Sequence, residues 1–170
     1  MFQRIIIIGP SGAGKSELSR KLRDILHLPL YHLDNLFWKN INEHISREEF
    51  DARLIEYLAQ DSWIIDGDYS RTYKMRMEKA DTIIFLDYPL EVCLRGAESR
   101  VGTKRDDCPF VETEFDPEFK EWIINWYKDK RPGLLGLLEE YKKTKEVIIF
   151  SSRSESDKFI KDLSINRNWN

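Results

Sequence analysis

Ile5 to Ile8 form an unbroken apolar run near the start of the chain, and short runs of the same kind recur along it, separated by amphipathic stretches. Continuous apolar runs rich in β-branched and aromatic residues suit strands buried on both faces of a parallel sheet. Residues 30–33, 63–65, 82–86 and 147–150 repeat the pattern, so five strands are predicted. Between them the period changes to that of a helix. Leu18, Leu22, Ile25 and Leu26 share one face, with Glu17, Arg20, Lys21 and Arg23 opposite. Ser46 and Glu49 make a capping box for a helix with Phe50, Leu54, Tyr57 and Leu58 inward. Pro89 starts a helix with Leu90, Cys93, Leu94 and Ala97 inward, and Asp116-Pro117 caps one with Phe119, Trp122, Ile123 and Trp126 on one side. Pro132-Gly133 interrupts that helix before Leu134, Leu135, Leu138 and Tyr141, and a short helix is expected from about Ser154. Strands alternating with helices, over crossovers long enough for parallel pairing, predict a three-layer α/β sandwich.

Two stretches lack a period. Residues 35–45 carry Phe37, Trp38 and His44 and read as a loop or irregular helix able to wall a pocket. Residues 101–115, broken by Gly102 and Pro109, read as a mobile lid within a single domain spanning 1–170.

The 170 residues are 41% hydrophobic and 34% charged, which suits one globular domain. A formal charge of −3 gives no global attraction to nucleic acid or anionic lipid, so neither is an expected partner. Two cysteines, Cys93 and Cys108, suit a reducing compartment. No signal peptide or long apolar span is visible, and the expectation is a cytoplasmic protein, a monomer or a homodimer, away from membranes.

Candidate chemistry starts at residues 9–16, GPSGAGKS, between the first strand and the first helix. This is the P-loop pattern in the context it needs. Gly9, Gly12 and Gly14 allow a tight turn whose N–H groups, with those of Ser11 and Ala13, approach phosphate oxygens, and the helix adds its positive dipole end. Lys15 then reaches the terminal phosphates of ATP, and the Ser16 hydroxyl holds Mg²⁺. Asp34, Asp66 and Asp87 follow strands, at the edge where open parallel sheets bind ligands. Asp66 and then Asp34 are the expected carboxylates for the metal, with Asp87 a weaker candidate that simply ends its strand in the alternative reading. Arg71, Arg100 and Arg105 surround the loop as candidate phosphate-gripping guanidiniums, and Arg153 is a further, weaker one.

The ordered set GPSGAGKS, LDNLFW, WIIDGDYSRT and IIFLDYP, with residues 100–105, resembles the adenylate-kinase-like P-loop kinases, and most of all the DNA topology modulation (FlaR-like) proteins. The resemblance implies a five-stranded parallel sheet in the order 2-3-1-4-5 with a short helical lid. It implies Asp66 near the metal, Asp34 near metal and acceptor, and Arg71 on an acidic group of the acceptor. It places Arg100 on the adenine and makes Arg105 a lid arginine that closes on the phosphates. The implied activity is ATP- and Mg²⁺-dependent transfer to a nucleotide, nucleoside or similar small acceptor. The alternative is a nucleotide-binding regulatory protein with slow or no ATP hydrolysis. Phe37 and Trp38 depart from the usual nucleotide-kinase acceptor pattern.

Overall fold

The computed structural model describes residues 2–167. Five strands form one sheet: β1 (Arg4–Ile8), β2 (Leu30–His32), β5 (Trp63–Asp66), β6 (Thr82–Leu86) and β7 (Glu146–Phe150). They lie in the order β2-β5-β1-β6-β7 and every pairing is parallel. Counting these strands alone, the order is the expected 2-3-1-4-5. The apolar runs are continuous because side chains alternate between two covered faces. Ile6 and Ile8 of β1 face one core layer, while Ile5 and Ile7 face the other.

Helices α3 (Arg47–Leu58), α4 (Tyr73–Lys79), α6 (Pro117–Asp129) and α7 (Arg131–Tyr141) contribute to the first layer through Phe50, Leu54, Met77, Trp126 and Leu138. Helices α1 (Lys15–Leu26), α5 (Leu90–Glu98) and α8 (Arg153–Arg167) contribute Leu18, Leu22, Cys93 and Phe159 to the second. Caps fall where the sequence places them. Ser46 Oγ accepts from the Glu49 N–H at 3.1 Å, and the Asp116 side chain accepts from the Glu118 N–H at 2.9 Å.

Two regions differ from expectation. Residues 35–45 are neither loop nor irregular helix alone: α2 (Leu33–Phe37) leads into an antiparallel hairpin of β3 (Trp38–Asn40) and β4 (Glu43–His44). The hairpin turn is held by Asn40 Oδ1, which accepts from the Asn42 N–H at 2.9 Å. Asp34 therefore sits in the first turn of α2 and not at the end of β2. The region between α5 and α6 has helix only at its flanks, and between them runs a coil of turns and bends. Its charges and breakers leave no apolar face to bury, so no helix is stabilised there. The coil is nonetheless tied, since the Gly102 N–H donates to the Glu112 carbonyl at 2.7 Å.

Among the described residues no helix is long and apolar enough to cross a membrane.

Candidate active site

The carboxyl ends of β1, β5 and β6 meet where the phosphate-type loop leaves β1. Gly9, Gly12 and Gly14 have φ of 143°, 81° and 93°, left-handed values that an L side chain resists. The turn is also pressed against α5. A Cβ on Gly12 would stand 1.9 Å from the Cys93 carbonyl oxygen, and one on Gly96 would stand 2.1 Å from the Gly12 oxygen. Gly96 is thus required by the loop, a role that the sequence pattern of α5 does not reveal. Ser11 is half-buried, and Ala13 is buried with its N–H on the Pro10 carbonyl at 3.3 Å.

Lys15 folds back along the loop, its Nζ donating to the Gly9 and Pro10 carbonyls at 2.8 and 2.9 Å. An ammonium has three donors, so one remains after these two bonds. Burial pulls its pKa below the usual lysine range, with the charges of Asp68, Asp34 and Asp66 pulling the other way. Three carboxylates are therefore near enough for their charge to act on Lys15.

Each carboxylate is held by specific partners. Asp66 is buried beside His32 on the neighbouring strand, in register with it, and its Oδ2 lies 2.8 Å from His32 Nδ1 and 2.5 Å from Ser19 Oγ. Burial pulls the His32 pKa down, but the hydrogen bond and charge of Asp66 outweigh it and the net shift is upward. Asp34 accepts from the Tyr69 hydroxyl at 2.7 Å. Burial raises its pKa against the pull of Tyr69 and Lys15. Asp68 accepts from Trp126 Nε1 at 2.8 Å and from the Tyr73 hydroxyl. Asp87 is gripped by Arg131 through two hydrogen bonds, at 2.7 and 2.8 Å, which supports its strand-ending role.

The arginines divide. Arg100 comes close enough to Lys15 to depress it, and pairs at 3.9 Å with Glu112. Arg105 bridges Asp107 and Glu112, both at 3.3 Å. Among the described residues the Nε atoms of Arg100 and Arg105 are buried with no hydrogen-bond partner, a costly condition for a donor. Arg71 is not brought to this group. It lies on the surface in a bidentate pair with Asp51 of α3, at 2.8 and 2.6 Å. The Ser70–Thr72 3₁₀ turn, entered from Tyr69 at φ 34°, points it outward.

Two residues that sequence reasoning passed over matter here, and a third that it weighed lightly. Arg76 is fully buried and donates to the Gly67, Asp68 and Tyr69 carbonyls and to Thr72 Oγ1, clamping the chain after β5. Burial pushes its pKa down to about 10. Its place one helical turn after Thr72 is the available signal. Asp107 is buried and accepts from Ser16 Oγ at 2.8 Å. No periodicity marks it. Arg153, weighed only as a weak candidate, donates to the Gly12 carbonyl at 3.2 Å and stands over the Tyr88 ring at 5.7 Å.

Beside the loop, a cleft of about 500 Å³ is lined by Tyr88, Pro89, Val92, Gly96, Ser152 and Arg153 among others. Arg100 is not part of its lining and faces the carboxylates instead. On the other side of Asp34 lies an aromatic wall. Phe37 meets Tyr69 at 5.5 Å between centroids, Phe50 stacks on Tyr69 at 5.1 Å, and Trp38 meets Phe110 at 5.7 Å edge to face. The last contact joins the hairpin to the coil between α5 and α6.

No family model matches the chain, and no curated protein matches it in sequence. Solved structures do. Shikimate kinase from Bacteroides thetaiotaomicron superposes with a TM-score of 0.62 at 18% identity, covering 96% of this chain and 97% of that one. Shikimate kinase from Acinetobacter baumannii, in complex with shikimate, gives 0.60 at 19% identity over 98% and 95%. A gluconokinase from Sinorhizobium meliloti gives 0.60 at 12% identity over 98% and 91%. These likenesses establish the fold: a three-layer α/β architecture around a five-stranded parallel sheet, shared with those structures over nearly the whole chain.

Proposed function

We propose that this chain is an ATP- and Mg²⁺-dependent small-molecule kinase of the adenylate-kinase-like kind, near the topology modulation (FlaR-like) proteins in its motifs. The observation that carries the reading is Lys15, held on the glycine turn with one donor free, among Asp34, Asp66, Asp68 and Arg100. Phosphoryl transfer needs charge neutralised on the moving group and two substrates held in line, and little else. The loop N–H groups and Lys15 bind the donor phosphates, and the guanidiniums of Arg100 and Arg105 supply further positive charge for them. Ser16 and the adjacent carboxylates would hold Mg²⁺, which when bound neutralises the donor phosphates and keeps most of its waters. No group of three or more His, Cys, Asp or Glu among the described residues forms a metal cage, and this ion does not need one. The cleft beside Tyr88 and Arg153 receives the base of the donor.

Asp34 faces the acceptor and holds the proton of its attacking hydroxyl. A carboxylate whose pKa burial has raised is a better proton acceptor than an ordinary one. The segment 101–115 acts as the lid, excluding water so that the acceptor takes the phosphoryl group. Within the range of nucleotide, nucleoside or similar metabolite, the site favours an uncharged acceptor. Arg71 is spent on Asp51 and Arg76 on backbone carbonyls, so neither offers a guanidinium to an acidic group, while carboxylates and rings dominate that side. The fold neighbours named for shikimate and gluconate support a hydroxyl-bearing small molecule; both of those are carboxylates, so they speak for the hydroxyl and not for the absence of charge.

Coupled ADP release over a panel pairing each nucleoside, polyol or sugar with its phosphorylated form tests this reading. A neutral member is expected to raise release well above the no-acceptor rate and to outpace its phosphorylated partner. Release that no acceptor alters contradicts the kinase reading.

A further inference from the structure

Ser16 carries the hydroxyl expected to meet the metal, yet the carboxylate that accepts its hydrogen bond is not one of the strand-end aspartates. Asp66 is occupied one turn further along α1, by Ser19, and by His32. The Ser16 hydroxyl donates its hydrogen bond to Asp107 Oδ2 at 2.8 Å, across 91 residues of sequence. A hydroxyl has one proton and two lone pairs, so a hydroxyl that donates to a carboxylate turns its lone pairs away from it, toward a cation. Asp107 is only 3% exposed, in the segment between α5 and α6, and is held there by Arg105 at 3.3 Å and, from its other oxygen, by Arg20 at 4.0 Å.

A buried carboxylate beside a phosphate-binding loop poses an electrostatic problem. Donor phosphates at the loop would lie across Ser16 from a second anion, and two anions at that range repel strongly in a partly buried site. A divalent cation between them removes the conflict. We propose that Asp107 is the carboxylate that orients Ser16 and anchors the metal's water shell, so that metal binding and docking of the 101–115 segment stabilise one another. The proposal rests on the reading of Ser16 as the metal-facing hydroxyl of a nucleotide site. Reciprocity follows from linkage: whatever the docked segment adds to metal affinity, the metal adds to docking.

The test is Mn²⁺ binding, followed by electron paramagnetic resonance, to the full chain saturated with ADP. Asp107→Asn is expected to raise the Mn²⁺ dissociation constant by about 10- to 100-fold, the range found when a group supporting a metal's ligands is removed. Glu114→Gln, which alters an exposed carboxylate of the same segment, is expected to leave it unchanged. A second measurement does not depend on the variant folding. In the wild-type chain, Mn²⁺ with ADP should slow tryptic cleavage at the exposed Lys104 more than ADP alone does. Wild-type Mn²⁺ affinity in a folded Asp107→Asn protein, or cleavage at Lys104 indifferent to Mn²⁺, overturns the proposal. Absence of Mn²⁺ binding by the wild-type ADP complex overturns both the proposal and the nucleotide-site reading. Normal Mn²⁺ behaviour without transfer to any acceptor overturns the kinase reading alone.

Discussion

At Asp34 two physical effects compete, and burial wins: its pKa is raised although the Tyr69 hydroxyl and Lys15 pull the other way. The consequence for stability has a definite sign. In the unfolded chain an aspartate ionises near its ordinary value of about 3.9, below the value in the fold. Stability is therefore lost as pH rises from that ordinary value through the folded one, and the loss persists at neutral pH. Asp34→Asn keeps an acceptor for Tyr69 and removes the buried charge. It is expected to melt at a higher temperature than wild type at pH 7, with the difference shrinking as pH falls below the ordinary carboxylate range. Phosphoryl transfer should fall with it. A melting temperature at pH 7 below that of wild type contradicts this account of Asp34. The carboxylate itself was legible in the sequence, as were Lys15 and Ser16, because a fixed motif locates the lysine and serine and the end of an apolar run locates the aspartate, although the fold puts it in the first turn of α2. Arg71, Arg76 and Asp107 were not, because neighbours in space decide which arginine turns inward and which carboxylate meets Ser16.

Helix α5 shows how an element can serve a loop. Glycine within a helix costs about 1 kcal/mol relative to alanine, so Gly96→Ala ought to stabilise on helix propensity alone. The added Cβ would meet the backbone oxygen of Gly12 at 2.1 Å, and backbone cannot swing aside as a side chain can. Overpacking of this kind costs about 1–3 kcal/mol, so the clash is expected to outweigh the gain and to weaken ADP binding by displacing the loop. Gly136 of α7 has nothing within 4 Å of its would-be Cβ, and the same substitution there should stabilise by about 0.5–1 kcal/mol. Thermal melts of both variants check the pair of signs; a stabilised Gly96→Ala protein with normal ADP affinity contradicts the packing argument. Elements with long signals were legible: the five apolar runs became the five strands of the main sheet. The hairpin of Trp38–Asn40 and Glu43–His44 was not, since so few residues show no alternation and its rings pack on other elements, His44 on Phe37 of α2 and Trp38 on Phe110.

For the molecule as a whole, the parallel order of the sheet brings the ends of β1, β5 and β6 together, and with them the loop, Asp66 and the chain clamped by Arg76. The 101–115 segment then reaches over this edge, bonded to Ser16 by Asp107 and in contact with the hairpin through Phe110. On the proposed reading, donor side and acceptor side are built by different parts of the chain, with Lys15 between them. The central claim is that this arrangement moves a phosphoryl group to a small molecule and does not merely bind a nucleotide. It is tested most directly by following label from [γ-³²P]ATP into the best acceptor of the panel, for wild type and for Lys15→Ala. The account predicts acceptor-dependent transfer that falls by about 100- to 1,000-fold or more in Lys15→Ala, the scale expected when a charged donor to the reacting group is removed, with its melting temperature still showing a folded protein. Transfer at the wild-type rate without Lys15, or label released only as inorganic phosphate, would contradict it.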